Sequence, residues 1–292
     1  MNSIYDLKIF IQSNPNQELA AKVSAYSFSK YGFNNITIMK LKENQVLNKY
    51  FYSEFFRGGS KKIYDPNDLQ SFTFLRFYPP QICNEFCLII DPDVFAVKDP
   101  ANEISKYIKE NGKFKIFCTK KNDKIRSEVS LVNCKNFNLW DFNILTHNIF
   151  NYSMDYNTLI NYNFLNQESI GLMSNQLNEF DEINENTILL HTTNRITQPW
   201  KESLPVDFKI NTSKKNYLKN FIKKTFGLNY NKNLFYKNYI KHKNENVINF
   251  VGNLFSEAYN SNFIDLSEIK DSIKNSYLSK KFIERYISNL NF

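Results

Sequence analysis

The five residues from Phe86 to Ile90 are apolar without a break, and the run ends abruptly at Asp91-Pro92-Asp93. A strand with one wet face alternates polar and apolar side chains, so an unbroken run of this length reads as a central strand covered on both faces. Such a strand needs neighbours and helices on either side, and the sequence supplies them. LKIFIQSN (7–14) reads as a buried first strand and NITIMKL (35–41) as a second, while KFKIFC (113–118), EVSLVNC (128–134) and TILLHTT (187–193) are further strands. Between the first two, Leu19, Val23, Tyr26 and Ser27 fall at helical spacing, and Gly32 stops the helix. SFTFLRFYPPQI (71–82) reads as a helix broken by Pro79 and Pro80. Alternating strand and helix patterns predict an α/β fold with a mostly parallel central sheet.

After Trp200 the strand patterns fade. Residues 1–204 read as the α/β domain and 205–292 as a basic, mostly helical C-terminal extension. Leu218, Phe221, Ile222, Thr225 and Phe226 follow one helical face, lysines surround it, and Gly227 ends it. Residues 265–290 read as one terminal helix capped by Asp265 or Ser267. Nine lysines (Lys214, Lys215, Lys219, Lys223, Lys224, Lys232, Lys237, Lys241, Lys243) and no acid lie between 214 and 244, against a net charge of +8, so the other residues together carry −1. Interleaved Tyr217, Phe221, Phe226, Tyr230, Phe235, Tyr236 and Tyr239 would suit nucleic acid, but the window has no arginine and no nucleic-acid motif accompanies it. An amphipathic basic helix resting on anionic lipid fits better. A solvated helical face is the plain alternative.

Other classes fall away. With 42% apolar residues the chain can bury a core, which excludes disorder. No apolar stretch approaches the roughly 20 residues that span a bilayer, and the polar start is unlike a signal peptide, so the expected setting is cytoplasmic, peripheral at the inner face of the membrane. Cys83, Cys87, Cys118 and Cys134 lack paired C-x-x-C spacing and read as small buried residues.

Ligands of open α/β sheets bind beyond the carboxyl ends of strands, so chemistry belongs where apolar runs stop. Two strands stop on ligand-type residues. Asp91 and Asp93 are hard oxygen donors two apart, with Pro92 fixing the backbone between them, and His191 ends another run. The mixed oxygen and nitrogen set favours Mn2+ or Mg2+ over a thiolate zinc site. Asp-Pro-Asp by itself also starts ordinary turns, and His147 and His242 read as packed or surface residues.

Five blocks in order, SFTFLRF, LIIDPDVFAVKDPANEI, SEVSLVNCKNF, FLNQESIG and HTTNRITQPWK, resemble those of GT-A glycosyltransferases of the glycogenin and lipopolysaccharide galactosyltransferase group, family 8, over roughly residues 5 to 201. The resemblance implies the Rossmann-like nucleotide-diphospho-sugar transferase fold. It implies a UDP-sugar donor, a glycan or lipid-linked acceptor, and transfer with retention. It makes Asp91, Asp93 and His191 the metal ligands and Arg76 a contact of the donor. Ser13 and Asn14 would hold uracil and ribose, and Gln167 would lie below the anomeric carbon beside Asn166. The family's aspartate is here Asn166, so Glu168 is the available acid. Its lysine before Pro-Trp is here Gln198, so Arg195 or Lys201 must supply the cation for the leaving diphosphate.

Overall fold

The computed structural model describes residues 3–110, 114–208, 214–229 and 235–287; for 214–217 it describes only the backbone. Tyr230 and Lys232 of the basic window lie outside the described residues, as do the side chains of Lys214, Lys215 and Tyr217.

The chain opens with β1 (Lys8–Ser13), α1 (Glu18–Ser29), β2 (Ile36–Lys40) and the short α2 (Gln45–Asn48). A hairpin of β3 (Glu54–Arg57) and β4 (Ser60–Ile63) follows. It turns on Gly58 and Gly59, both at positive φ, a conformation glycine adopts without steric cost. The segment expected as a proline-broken helix is a 3-10 run over Ser71–Phe77 and a second over Pro79–Gln81. Then come β5 (Phe86–Ile90), β6 (Val94–Ala96), α3 (Ala101–Lys109), β7 (Ile116–Lys121) and β8 (Lys124–Asn133). Helices α4 (Phe142–Phe150) and α5 (Tyr156–Ile160) lead to β9 (Ile170–Leu172), β10 (Glu179–Phe180) and β11 (Leu189–His191). The remainder is helical: α6 (Lys214–Thr225), α7 (Glu245–Asn260), α8 (Leu266–Lys274) and α9 (Lys280–Tyr286). The expected single terminal helix is two, because Ser276 takes positive φ and Ser279 caps a new start by accepting from the Phe282 N–H.

Six strands form the central sheet in the order β2-β1-β5-β8-β7-β9. Pairs β2/β1, β1/β5 and β7/β9 are parallel, whereas β8 runs antiparallel to both its neighbours. The unbroken apolar run does what was expected of it. Cys87 and Ile89 enter the core on one face of the sheet, and Leu88 and Ile90 enter the core on the other. Strand β1 divides in the same way, Phe10 to one side and Ile9 and Ile11 to the other.

A smaller sheet, β10-β11-β6, continues from the end of β5. Behind it a third core joins Leu19 and Val23 of α1, Phe95 of β6, Leu190 of β11 and Trp200 to Val251, Phe255, Phe282 and Ile283 of the C-terminal helices. Each fully buried Leu or Phe contributes ~1.5–3 kcal/mol relative to exposure, so α7–α9 are held firmly on the body. Trp200 is buried against Phe95 and Phe255 as a packing residue. Among the described residues no helix is long and apolar enough to cross a membrane.

Candidate active site

The two sheets meet at Asp91-Pro92-Asp93. There the Val94 N–H donates to the Asp91 carbonyl at 3.2 Å, closing a turn with proline in its second position, where a fixed φ suits it. Strand β6 then pairs antiparallel with β11, with Val94 opposite His191, and the Thr192 N–H donates to the Asp93 carbonyl at 3.1 Å. This register brings a histidine about a hundred residues later in the chain to the carboxyl end of β5. The donor atoms of Asp91, Asp93 and His191 lie within 4.8 Å of one another, and all three side chains are buried.

Each of the three is held by neighbours. Arg76, at the end of the 3-10 run, grips Asp91 through two hydrogen bonds, Nε to Oδ1 at 2.7 Å and Nη2 to Oδ2, and gives Nη1 to Ser127 Oγ at 2.9 Å. Burial pushes the Asp91 carboxyl up, to about 6, against the pull of the guanidinium. Asp93 Oδ2 accepts from Gln198 Nε2 at 3.1 Å, and Gln17 Nε2 in turn donates to Gln198 Oε1 at 3.2 Å. The glutamine that stands where the family has lysine is therefore bound to a ligand carboxylate. His191 Nδ1 lies 2.9 Å from Asn178 Oδ1, and Asn178 Nδ2 donates to Thr119 Oγ1 at 2.9 Å. That orientation of the amide makes Nδ1 the protonated nitrogen and turns Nε2 toward Asp93.

His191 Nε2 and Asp93 Oδ1 face each other at 3.4 Å, and Oδ1 is buried without a hydrogen-bond partner among the described residues. Burial disfavours the imidazolium, but Asp93, Asp91 and Glu128 together outweigh it and raise the His191 pKa. A buried carboxylate oxygen opposite an imidazole nitrogen calls for a proton or a cation between them. The residues fit a hard divalent ion: oxygen and nitrogen donors, a histidine tautomer fixed from behind, and an Asp91 whose oxygens keep lone pairs beyond those Arg76 uses.

The other expected residues fall into three groups. Ser13 and Asn14 are buried at the end of β1, where Asn14 Nδ2 donates to the Asp68 carbonyl at 2.9 Å and Ser71 Oγ at 2.8 Å, pinning the loop that precedes Arg76. Arg76 holds a ligand instead of pointing into open space. Lys201 is fully buried and donates to Asp207 Oδ2 at 2.5 Å, and Asp207 also accepts from Tyr239 at 2.5 Å, so this lysine ties down the strap after Trp200. Arg195 stacks over Phe208 at 5.3 Å and has no carboxylate partner among the described residues; burial and the charge of Arg57 lower its pKa. Asn166, Gln167 and Glu168 are exposed in a turn that leads into β9. The first residue of β9, Ile170, pairs with Ile116 and so lies level with Cys87, about 13 Å of strand from Asp91. The structure sets these three apart from Asp91, Asp93 and His191 because β9 joins the far edge of the sheet.

Glu128 is the acid that does lie at the site. A register shift between Cys118 and Thr119 lets residues 127–129 bulge out of β8, and the Asp91 N–H donates to the Glu128 carbonyl at 3.1 Å. Its Oε1 pairs with Arg126 at 2.6 Å, and its Oε2 is buried without a hydrogen-bond partner among the described residues. No sequence signal marks it beyond a polar residue at the start of an apolar run. A cavity of about 640 Å³ opens between the β3–β4 hairpin, the 65–71 loop and residues 206–208, lined by Arg57, Tyr64, Asp68, Tyr156, Asp207 and Phe208 among others; Asp91, Asp93, Glu128 and His191 do not line it.

No protein-family model matches this sequence, and no curated protein is detectably similar to it. Among solved structures, the chain is similar to the glycosyltransferase GlyE of Streptococcus pneumoniae TIGR4, at 12% identity and a TM-score of 0.44, over 73% of this chain and 60% of that one. It is also similar to mouse xyloside xylosyltransferase 1 in its apo form (10% identity, TM-score 0.41, 65% of this chain and 98% of that one). A third is a glycosyltransferase involved in glycosylation of the major capsid of PBCV-1 (12%, TM-score 0.40, 64% and 93%). The chain thus spans about three-fifths of the length of GlyE.

Proposed function

We propose that this chain is a GT-A glycosyltransferase that moves a sugar from a nucleotide-sugar, a UDP-sugar, to a hydroxyl acceptor with the help of Mn2+ or Mg2+. The observation that carries the reading is the buried, unpartnered Asp93 Oδ1 facing His191 Nε2 at the carboxyl end of β5. The five ordered sequence blocks support it.

A divalent ion held there supplies charge that stabilises the departing nucleoside diphosphate. The chain's own residues fix where that happens. Arg76 aims Asp91, Gln198 holds the second oxygen of Asp93, and Asn178 keeps the lone pair of His191 turned inward. Arg195, which has no carboxylate partner among the described residues, meets the phosphates in place of the missing lysine. Ser13 and Asn14 shape the nucleoside end, Asn14 through the loop it pins. Glu128 meets the acceptor hydroxyl, whereas the resemblance puts Gln167, beside Asn166, below the anomeric carbon and makes Glu168 the available acid. Transfer proceeds with retention, as the family resemblance implies.

The acceptor is a glycan or a lipid-linked sugar met at an anionic membrane surface. Leu218, Phe221, Ile222, Phe226 and Leu228 are all exposed on and just after α6, among Lys219, Lys223 and Lys224. Such a face buries its apolar side chains at the headgroup boundary while the lysines meet lipid phosphates, about 1 kcal/mol each. Sedimentation should show binding to vesicles rich in anionic lipid that weakens with salt; failure to bind at low salt removes the membrane from the reading. For the enzyme itself, calorimetry with UDP and Mn2+ should give metal-dependent binding that Asp93→Ala and His191→Ala abolish. UDP-sugar hydrolysis undiminished in both variants would sink the assignment.

A further inference from the structure

At the opposite end of β5 from Asp91 stands a second cluster of donor atoms. Cys87 of β5, Cys134 just after β8, and Cys83 after the Pro79–Gln81 turn are all buried free thiols, and their sulfurs lie within 4.8 Å of one another. Cys87 Sγ and Cys134 Sγ are 3.5 Å apart. Three separate segments deliver them, so no C-x-x-C spacing announces the group. With metal–sulfur bonds of about 2.3 Å, three thiolates in a plane around an ion stand about 4 Å apart, inside the range seen here. The Cys83 S–H donates to the Glu85 carbonyl at 3.5 Å, which keeps one further oxygen at hand. Lys8 is the β1 partner of Cys87 in the sheet register, and its charge favours the thiolates of Cys83 and Cys134. Contact with Cys134 and Cys87 lowers the Cys83 pKa, while burial raises that of Cys87.

We propose that Cys83, Cys87 and Cys134 form a trithiolate site for a soft d10 cation of the Zn2+ or Cu+ class, independent of the oxygen and nitrogen ligands at the other end of β5. Soft sulfur donors select such ions, and hard donors select Mg2+ or Mn2+, so one strand carries two sites of opposite preference. Binding requires each ligating thiol to lose its proton: three thiols and one divalent cation give one complex of charge −1 and three released protons, with the Lys8 ammonium beside the residual charge. The ion would clamp β5, the end of β8 and the 79–83 turn together from inside the core.

Cd2+ is the probe, added to the full chain carrying Asp93→Ala and His191→Ala so that the other site is disabled. The expected result is one Cd2+ per chain, an ultraviolet thiolate-to-cadmium charge-transfer band, and about three protons released. Cys83→Ser, at the most accessible of the three, should weaken binding by more than the roughly 10–100-fold that loss of an outer ligand partner costs. Should the variants fail to fold, alkylation of the unaltered chain decides, since Zn2+ should slow modification of Cys83. Absence of the band, an undiminished band in Cys83→Ser, or an alkylation rate indifferent to Zn2+ overturns the proposal.

Discussion

Replacing Arg76 by leucine tests how the site holds charge away from water. Arg76 and Asp91 are 5% and 4% exposed, and the guanidinium supplies both of the close cationic contacts to the carboxylate. Removing one partner of a buried pair costs about 3–5 kcal/mol, because the other charge is left uncompensated. The cost should depend on pH. Asp91 already has a pKa raised to about 6, and losing Arg76 removes the two strongest influences that lower it and leaves the weaker pull of His191, so its folded value rises further. A carboxyl whose folded pKa lies above its unfolded value of about 3.9 contributes stability that is present at low pH and lost as pH rises through the folded value. Arg76→Leu should therefore lose about 3–5 kcal/mol near pH 7.5 but only ~1 kcal/mol near pH 5, where Asp91 takes up a proton and the charge disappears. Urea unfolding at the two pH values, with chelator present, measures both. Adding Asp91→Asn to Arg76→Leu should restore much of the loss at neutral pH. Equal destabilisation at both pH values, or no recovery in the double variant, would refute the account of a buried pair held by mutual neutralisation.

Asn178→Leu should leave the fold intact and weaken Mn2+ binding by about 10–100-fold, read by calorimetry, because His191 then loses the acceptor that fixes its tautomer. Mn2+ affinity should also fall as pH drops through the raised pKa of His191, since the imidazole must release its proton before Nε2 can bind an ion. An affinity flat between about pH 6 and 8 would count against His191 as a ligand. Gly252→Ala should destabilise the chain by about 1–3 kcal/mol in urea, with or without metal, because the added Cβ would meet the Tyr286 ring at 2.3 Å and push α7 from α9.

The sequence marks the ends of strands better than it marks their company. Residues Phe86–Ile90 and the TILLHTT run are legible because local hydrophobicity alone determines that they are buried and where they stop, and those stops carry Asp91, Asp93 and His191. The direction of β8 is not legible, since an apolar run reads the same whether its partner is parallel or antiparallel, and the mixed sheet depends on that choice. The family resemblance puts the Asn166–Glu168 turn at the site; the pairing of β9 with β7, which no local pattern encodes, leads that turn to the far edge of the sheet. Glu128 went unmarked for a related reason, because a bulge that only strand pairing creates is what exposes it to Asp91. The hairpin at 54–63 did carry a signal in its two glycines, but its two short, charged strands lack a strong period.

The third core makes the chain's final stretch a structural creditor of its first half. Phe95 and Leu190 flank the two ligand-bearing strand ends, and their backs are covered by Trp200 and by side chains that arrive only with α7 and α9. A ribosome that has released residues 1–204 has made Asp91, Asp93 and His191 but not the wall that keeps Val94 and His191 in register. A protein cut at that point should expose a greasy flank and lose the alignment of Asp93 with His191, so the proposed metal site is completed last, by residues outside it.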